Sequence, residues 1–556
     1  MRHWEGGGSA GRGRDGVGRD TVRGMRTIGS SQGTLAWPIR RAVKVHGDRE
    51  AIVDGPTRMT YAEWGAKVLG LGTGLRTLGL TDGDIVAVSA LNTWRHLTCW
   101  VGVPASGLVI NDLNYRLAPA ELEFIMKDSG ATAMVVDDAY VELARSLQQS
   151  CATLRFLIYA GTGTLPDGFV SFDELCANDP LPDPTTAFIG DHTLAAISYT
   201  GGTTGLPKGV MQSHGNLVAN AKHMQYAYAY TTSDVYMHAA PMFHAADASC
   251  TFAVTWVGAR HVIMPGWDPE RFCFEAEREG MTITLLVPTM INMLVNHPGV
   301  EHRDFSSWRL LGYGASPMPS ELQRRAMALL PCGFMQLYGM TESSPLLTIC
   351  SADDHARAAR GEPGYVDRLR SAGAPCPGVE CEVRRPDGTV CDPGEAGEVY
   401  GRGPNIMLGY WNRPEETAAA LVGGWYRSGD VAYADEHGYL YIVDRAKDMI
   451  ISGGENIYTT EVENALYAHA AVLEAAVVGV PHDSWGEAVH AAVVLKPNAV
   501  ATEAELITHC RTLIAGYKVP RSVDIRSDAL PKSGAGKILK RDLRAPFWEG
   551  RERAVN

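Results

Sequence analysis

From about Thr27 to Asp444 the chain alternates short β-branched runs with longer amphipathic stretches, and no other feature narrows its fold as much. IVAVSA at 85–90, ATAMVVDD at 131–138 and ITLLVP at 283–288 have the length and composition of strands. A strand that returns parallel to its neighbour needs a long crossover, usually a helix, so this alternation predicts α/β layers with largely parallel sheets. From Gly394 to Tyr410 the texture changes to GEAGEVYGRGPNIMLGY, whose Gly and Pro punctuation predicts the short strands of a small β subdomain.

After Asp444-Arg445-Ala446-Lys447-Asp448 the pattern restarts as a compact unit of about 100 residues. MIIS precedes a Gly453-Gly454 turn, and LEAAVVGV and AVHAAVVL read as strands. Thr460-Glu461-Val462-Glu463 and Thr502-Glu503-Ala504-Glu505 each fit a capping box that opens a helix. The expected class is therefore α/β: a large N-terminal domain of layered sheets plus a small β subdomain, and a smaller α+β C-terminal domain. At 556 residues the chain is too long for one hydrophobic core, which agrees with this division.

A formal net charge of -13 argues against a nucleic-acid-binding surface, which needs concentrated basic charge to release counterions. No apolar run reaches the roughly 18 residues of a membrane span. Eleven cysteines without a CxxC pair fit thiols kept reduced in a cytoplasmic location. The first 24 residues are rich in Gly and Arg and lack the apolar stretch of a secretory signal, so a disordered arm is expected there. Met25 is an alternative start, since ordinary patterning begins just after it. The sequence does not fix oligomeric state, and a homodimer is compatible with it.

The chemistry concentrates in Tyr199-Thr200-Gly201-Gly202-Thr203-Thr204-Gly205-Leu206-Pro207-Lys208-Gly209, which follows the strand-like LAAIS and precedes a helical stretch. Glycines free backbone N–H groups to face a phosphate chain, threonine hydroxyls add donors and Lys208 adds a positive charge. The Walker pattern differs, because its lysine directly follows a glycine and precedes Ser or Thr.

This stretch closely resembles the signature loop of the adenylate-forming superfamily, which includes acyl-CoA synthetases, luciferases and the adenylation domains of non-ribosomal peptide synthetases. The resemblance runs in order over about 520 residues, and acyl-CoA synthetases for fatty or aryl acids are the nearest branch. It implies ATP, Mg²⁺ and coenzyme A as partners of a small-molecule carboxylic acid. Thr200 to Gly205 and Lys208 would cradle phosphates. Gly314-Ala315-Ser316-Pro317 resembles an adenine-binding turn, and Tyr338-Gly339-Met340-Thr341-Glu342 a second nucleotide motif whose glutamate holds Mg²⁺.

Asp430, in Trp425-Tyr426-Arg427-Ser428-Gly429-Asp430, would accept from the ribose hydroxyls, since two carboxylate oxygens suit two vicinal donors. Arg445 is similar to an arginine that contacts nucleotide, and Lys447 to a hinge residue. Lys537, in Pro531-Lys532-Ser533-Gly534-Ala535-Gly536-Lys537, matches the family's catalytic lysine. His244 falls where acyl pocket and thiol tunnel meet, while Tyr313, Gly314, Met340 and Pro345 are placed along the acyl pocket. Lys537, Thr203, Glu342 and His244 form the implied catalytic set, and Gly453-Gly454 the turn presented to the pantetheine tunnel.

The implied organisation is an arm over 1–24, an N-terminal domain over 25–444 with the acyl and ATP sites, a hinge at 445–447, and a mobile C-terminal domain over 448–556. The expected reaction is conversion of an acid to its acyl-AMP and then to its CoA thioester. Two alternatives stay open: loading of a carrier protein, and a paralogue that only converts preformed acyl-AMP. The second is raised by Gly201, which stands where the signature usually has Ser. Small residues at Gly312, Gly314 and Ala315 are expected to leave room for a bulky or long acid, so fatty, aromatic and polycyclic acids all stay open.

Overall fold

The computed structural model describes residues 33–181, 189–200, 207–445, 448–453, 455–533 and 536–549. The arm at 1–24, Gly201 to Gly205, Lys447 and Gly454 lie outside them.

The three runs that announced α/β layering form the strands Ile85–Ser89, Ala133–Val136 and Ile283–Leu286, each buried along its whole length. Burial on both faces explains why they are continuous apolar runs and not alternating ones. Ile85–Ser89 lies parallel between Val109–Asp112 and Ala133–Val136 in one large sheet, whose far edge carries the antiparallel pair Leu194–Thr200 and Lys208–Ser213. Ile283–Leu286 lies parallel between Val235–His238 and Leu310–Gly314 in the other, which continues through Gly333–Gly339 to the antiparallel Leu346–Cys350.

Helices Tyr61–Thr77, Trp94–Ala105, His214–Tyr228 and Ala245–Val257 supply much of the largest apolar core, which draws on strands of both sheets. Of the stretch from Gly394 to Tyr410 expected to form a β subdomain, Gly397–Arg402 joins an antiparallel sheet with Glu380–Arg384, Trp425–Ala434, Leu421–Val422 and Leu440–Arg445, whereas Gly409–Tyr410 pairs with Lys208–Ser213 in the first large sheet.

In the smaller C-terminal domain Val472–His482 and Gly486–Leu495 form a long antiparallel ladder, and Ser522–Arg526 joins it parallel. Alternate residues face opposite ways. Ala475, Val477, Ala491 and Val493 pack with helices Thr459–Tyr467 and Glu503–Leu513, while Ala476, Val478, Ala492 and Val494 meet Leu530 and Leu543.

Only one of the two expected capping boxes is real. Thr502 accepts from the Glu505 N–H at 3.3 Å while the Glu505 carboxylate accepts from the Thr502 N–H at 2.7 Å. The other helix begins at Thr459, one residue early, so Thr460 is already helical; its hydroxyl donates to the Val443 carbonyl, and Glu463 accepts from the Val477 N–H. Asp444 takes over the capping, accepting from both the N–H and the hydroxyl of Thr459 at 2.6 and 2.9 Å. Among the described residues no helix is long and apolar enough to cross a membrane.

Candidate active site

Thr200 ends one strand and Lys208 begins the next, and the two are register partners, so the phosphate-loop segment closes an antiparallel hairpin. The helix expected directly after it starts only at His214, one strand later. The Lys208 ammonium sits 5.3 Å from the Tyr410 ring centre. Gly409–Tyr410 pairs with Val210 and Met211, which brings Tyr410 to this edge.

Tyr410 also donates to Glu342 Oε1 at 2.9 Å. Glu342 lies in the single turn Thr341–Ser343 that leaves the strand Gly333–Gly339, and Gln212 Nε2 donates to the Thr341 carbonyl at 3.1 Å. Desolvation pushes the Glu342 carboxyl above the usual range, with Asp430 adding to the rise and the Tyr410 hydroxyl and Arg445 opposing it.

Asp430 is 5% exposed and held from two sides. The Tyr338 hydroxyl donates to its Oδ2 at 2.8 Å, and Arg445 Nε lies 3.1 Å from its Oδ1. The pairing of Trp425–Ala434 with Leu440–Arg445 sets this up, because Asp430 and Arg445 are register partners. A carboxylate has about four lone-pair directions, so acceptor capacity remains for a ligand. Tyr338, Glu342, Asp430 and Arg445 thus form one cluster at the ends of neighbouring strands. Gly314 ends the adjacent strand, and Ala315, Ser316 and Pro317 follow it, partly or fully exposed, with Ala315 at a φ of 66°.

His244 caps the helix Ala245–Val257, its Nδ1 accepting from the Ala246 N–H at 3.2 Å. Desolvation, and after it the nearby Lys537 charge, lower its pKa to about 4 against an opposing pull from Asp247. The helix is anchored one turn on by Asp247, which accepts from the Tyr236 hydroxyl and lies 2.7 Å from His238 Nδ1. Lys537 reaches this region on a short hairpin closed by bonds from Ser533 N–H to the Lys537 carbonyl and from Lys537 N–H to Ser533 Oγ. Gly536, at a φ of 81°, accepts from the Thr289 hydroxyl at 3.3 Å. A residue nearly 300 positions downstream is thereby set beside His244.

Behind His244 lies a pocket bounded by Ala245, Ala248, Leu217 and Pro345 and closed by Trp100 and Phe252. Pro345 therefore borders it. The Tyr313 ring does not: strand alternation turns it to the opposite face of the sheet, where its hydroxyl meets His355 Nε2 at 2.8 Å and accepts from Gln323. Nor do the small residues leave the expected room. A side chain on Gly312 would meet the Tyr228 hydroxyl at 1.8 Å, and one on Gly314 the Leu337 carbonyl at 2.2 Å. Met340 is half-buried and its N–H donates to the Pro345 carbonyl at 2.8 Å. Gly453 has a φ of 62° and donates to the Trp485 carbonyl.

Sequence reasoning overlooked Tyr410, Gln212 and Thr289. Each acts on a residue distant in sequence, so no local pattern marks it.

A layered α/β body with an acid, a tyrosine and an arginine gathered at strand ends, and a lysine loop supplied by a smaller domain, defines a nucleotide-binding enzyme of two domains. The chain belongs to the AMP-binding enzyme family: the model of that family matches residues 39–411, and that of its C-terminal domain matches residues 461–537. It is 38% identical to a feruloyl-CoA synthase of an Amycolatopsis species over 518 residues, covering 93% of this chain and 99% of that one. It is 34% identical to a long-chain-fatty-acid–CoA ligase of Yersinia pestis over 496 residues, covering 84% and 86%. The structure of ATP-bound MatB from Rhodopseudomonas palustris superposes with a TM-score of 0.82 at 28% identity, covering 93% of this chain and all of that one.

Proposed function

We propose that this enzyme converts a carboxylic acid and ATP to an acyl-AMP and pyrophosphate, then transfers the acyl group to coenzyme A: an AMP-forming acyl-CoA ligase. The observation that carries this reading is the seating of the Lys537 hairpin beside His244, whose neighbour Ala245 lines an apolar pocket. The likeness to feruloyl-CoA and fatty-acyl-CoA enzymes supports coenzyme A as the acceptor.

A carboxylate is a poor electrophile, and adenylation gives it a good leaving group. A carboxylate oxygen of the acid attacks the α-phosphorus in line, and pyrophosphate leaves toward the hairpin that Thr200 and Lys208 close. Asp430 uses its remaining acceptor sites for the ribose hydroxyls, with Tyr338 and Arg445 fixing its orientation. Lys537 bridges the carboxylate and the α-phosphate, where its charge offsets the negative charge that gathers there. His244, neutral at pH 7, can approach the acyl group without adding a second cation beside Lys537.

The residues fit a magnesium ion travelling with ATP. Glu342 is desolvated, Oε1 accepts from Tyr410, and Oε2 has no side-chain hydrogen bond among the described residues. When bound there, the metal supplies neutralisation of phosphate charge.

The glycine turn at Gly453, with Gly454, is assigned to the approach of the coenzyme A thiol after a rotation about Lys447, which withdraws Lys537 from the spent site. The eleven cysteines fit a cytoplasmic location. A homodimer is compatible with this reading.

The test is mass spectrometry of products formed by purified protein with MgATP, coenzyme A and a panel of acids. Acyl-AMP without coenzyme A, and acyl-CoA with AMP when it is added, are expected. Acyl-AMP that is passed only to a carrier protein, or acyl-CoA formed only from synthetic acyl-AMP, would replace this reading by one of the alternatives.

A further inference from the structure

The short strand Gly409–Tyr410 and its flanks join two parts of the nucleotide site. On one side the Met407 N–H donates to the Glu342 carbonyl at 2.8 Å. On the other, the N–H groups of Leu408 and Trp411 donate to the carbonyls of Met211 and Gly209, in the strand Lys208–Ser213 that leaves the phosphate hairpin. The incoming strand of that hairpin is tied to the same segment through Asp128. Its carboxylate accepts from the Tyr199 hydroxyl at 2.7 Å and pairs with Arg413 at 3.0 Å, and its carbonyl accepts from Trp411 Nε1 at 3.0 Å. The backbone of Glu342 is thereby fixed relative to that of Lys208.

The Tyr410 side chain repeats this bridge with its own atoms. Its hydroxyl donates to Glu342 Oε1 at 2.9 Å, while the Lys208 ammonium lies 5.3 Å from its ring centre, within range of the attraction between a cation and a ring. One neutral side chain serves a carboxylate through its positive O–H and an ammonium through its electron-rich ring. Among the described residues neither Glu342 nor Lys208 forms an ion pair.

Opposite charges on two sides of one ring would pair if the ring were gone. A direct bond between Lys208 and Glu342 would use up both: the ammonium would no longer be open to a phosphate, nor the carboxylate to a metal ion.

Resting on the acyl-CoA ligase reading, we infer that Tyr410 is a positioning residue that holds Glu342 and Lys208 apart. Its hydroxyl steadies the carboxylate, and its ring blocks the ion pair that would withdraw both charges from MgATP. No bond is made or broken in this role.

The experiment measures ATP binding to the full-length protein by calorimetry, once with excess Mg²⁺ and once in EDTA. Tyr410→Phe keeps the ring and removes the hydroxyl, so it should weaken MgATP binding by about tenfold while metal-free ATP stays within about twofold of the wild type. Tyr410→Leu removes the ring as well. Lys208 then pairs with Glu342, and metal-free ATP should bind about fivefold more weakly. Adding Glu342→Gln to Tyr410→Leu should return metal-free ATP to within about twofold of the wild type, because a neutral amide does not hold the ammonium. Lost packing would not be repaired by removing a charge from another residue.

MgATP binding that Tyr410→Phe leaves unchanged, or a loss in Tyr410→Leu that Glu342→Gln does not restore, overturns the inference while leaving the ligase reading intact. If Tyr410→Leu does not fold, the Tyr410→Phe comparison decides alone. A wild type that binds ATP in neither condition overturns both.

Discussion

The nucleotide-facing cluster and the lysine hairpin are held in place by very different means. Asp430 is gripped by Tyr338 and Arg445 across paired strands, and Glu342 is tied to Tyr410, so the large domain presents its groups from a cross-braced sheet edge. Lys537 arrives on a hairpin from the smaller domain, where the Thr289 hydroxyl donates to the Gly536 carbonyl and Asn292 donates to the Leu473 carbonyl. One region is built to stay, the other to let go. The proposed reaction, in which nucleotide stays bound while the lysine serves adenylation alone, calls for that asymmetry.

Replacing Lys537 with Ala should break the comparison most sharply. Acyl-AMP formation should fall by about 10²–10³, as for loss of a group that stabilises charge in the transition state. Conversion of synthetic acyl-AMP to acyl-CoA should fall far less, and an equal loss in both halves would show that the hairpin is not a separable part. Next in size, Asp430→Ala should raise the KM for ATP by about 10–100-fold, since it removes charge-assisted bonds and strands Arg445. The check is ATP saturation in the adenylation half-reaction, where an unchanged KM would remove Asp430 from the nucleotide site.

Thr289→Ala removes one neutral hydrogen bond between the regions and should slow adenylation by about fivefold. If the hairpin is held elsewhere, that rate will not move. The smallest effect concerns His244, whose pKa is lowered from 6.5 to about 4. The unfolded chain binds the proton more readily, so the stabilising effect of keeping this ring neutral is complete above pH 6.5 and is lost as pH falls toward 4. Between pH 6.5 and 5.5 the wild type should lose about 2 °C of Tm relative to His244→Gln. Parallel melting curves across that window would show that the ring is not sequestered.

Much of this architecture could be read from the residues. Strands buried on both faces, such as Ile85–Ser89, declare themselves because nothing polar can be placed in them. The Thr502–Glu505 box is legible because both its bonds are local. Thr460–Glu463 has the same spelling, yet Asp444 already caps that helix from across the junction, and a contact with another segment outranks a local pattern.

The nucleotide cluster was legible as motifs, though not its bracing. Tyr410 is 68 residues from Glu342, and only the pairing of Gly409–Tyr410 with Val210 and Met211 brings them together. Tyr313 shows the complementary failure: a strand residue's place in sequence says nothing about its face until the register is known.

The notch at Gly312 bears on how enzymes of this shape can change. Since the Tyr228 hydroxyl already occupies the space a side chain would need, Gly312 and Tyr228 are not independent positions. A methyl group at 312 demands a smaller residue at 228, and a smaller residue at 228 alone opens a void in the core. Drift in this part of the molecule must pass through paired substitutions.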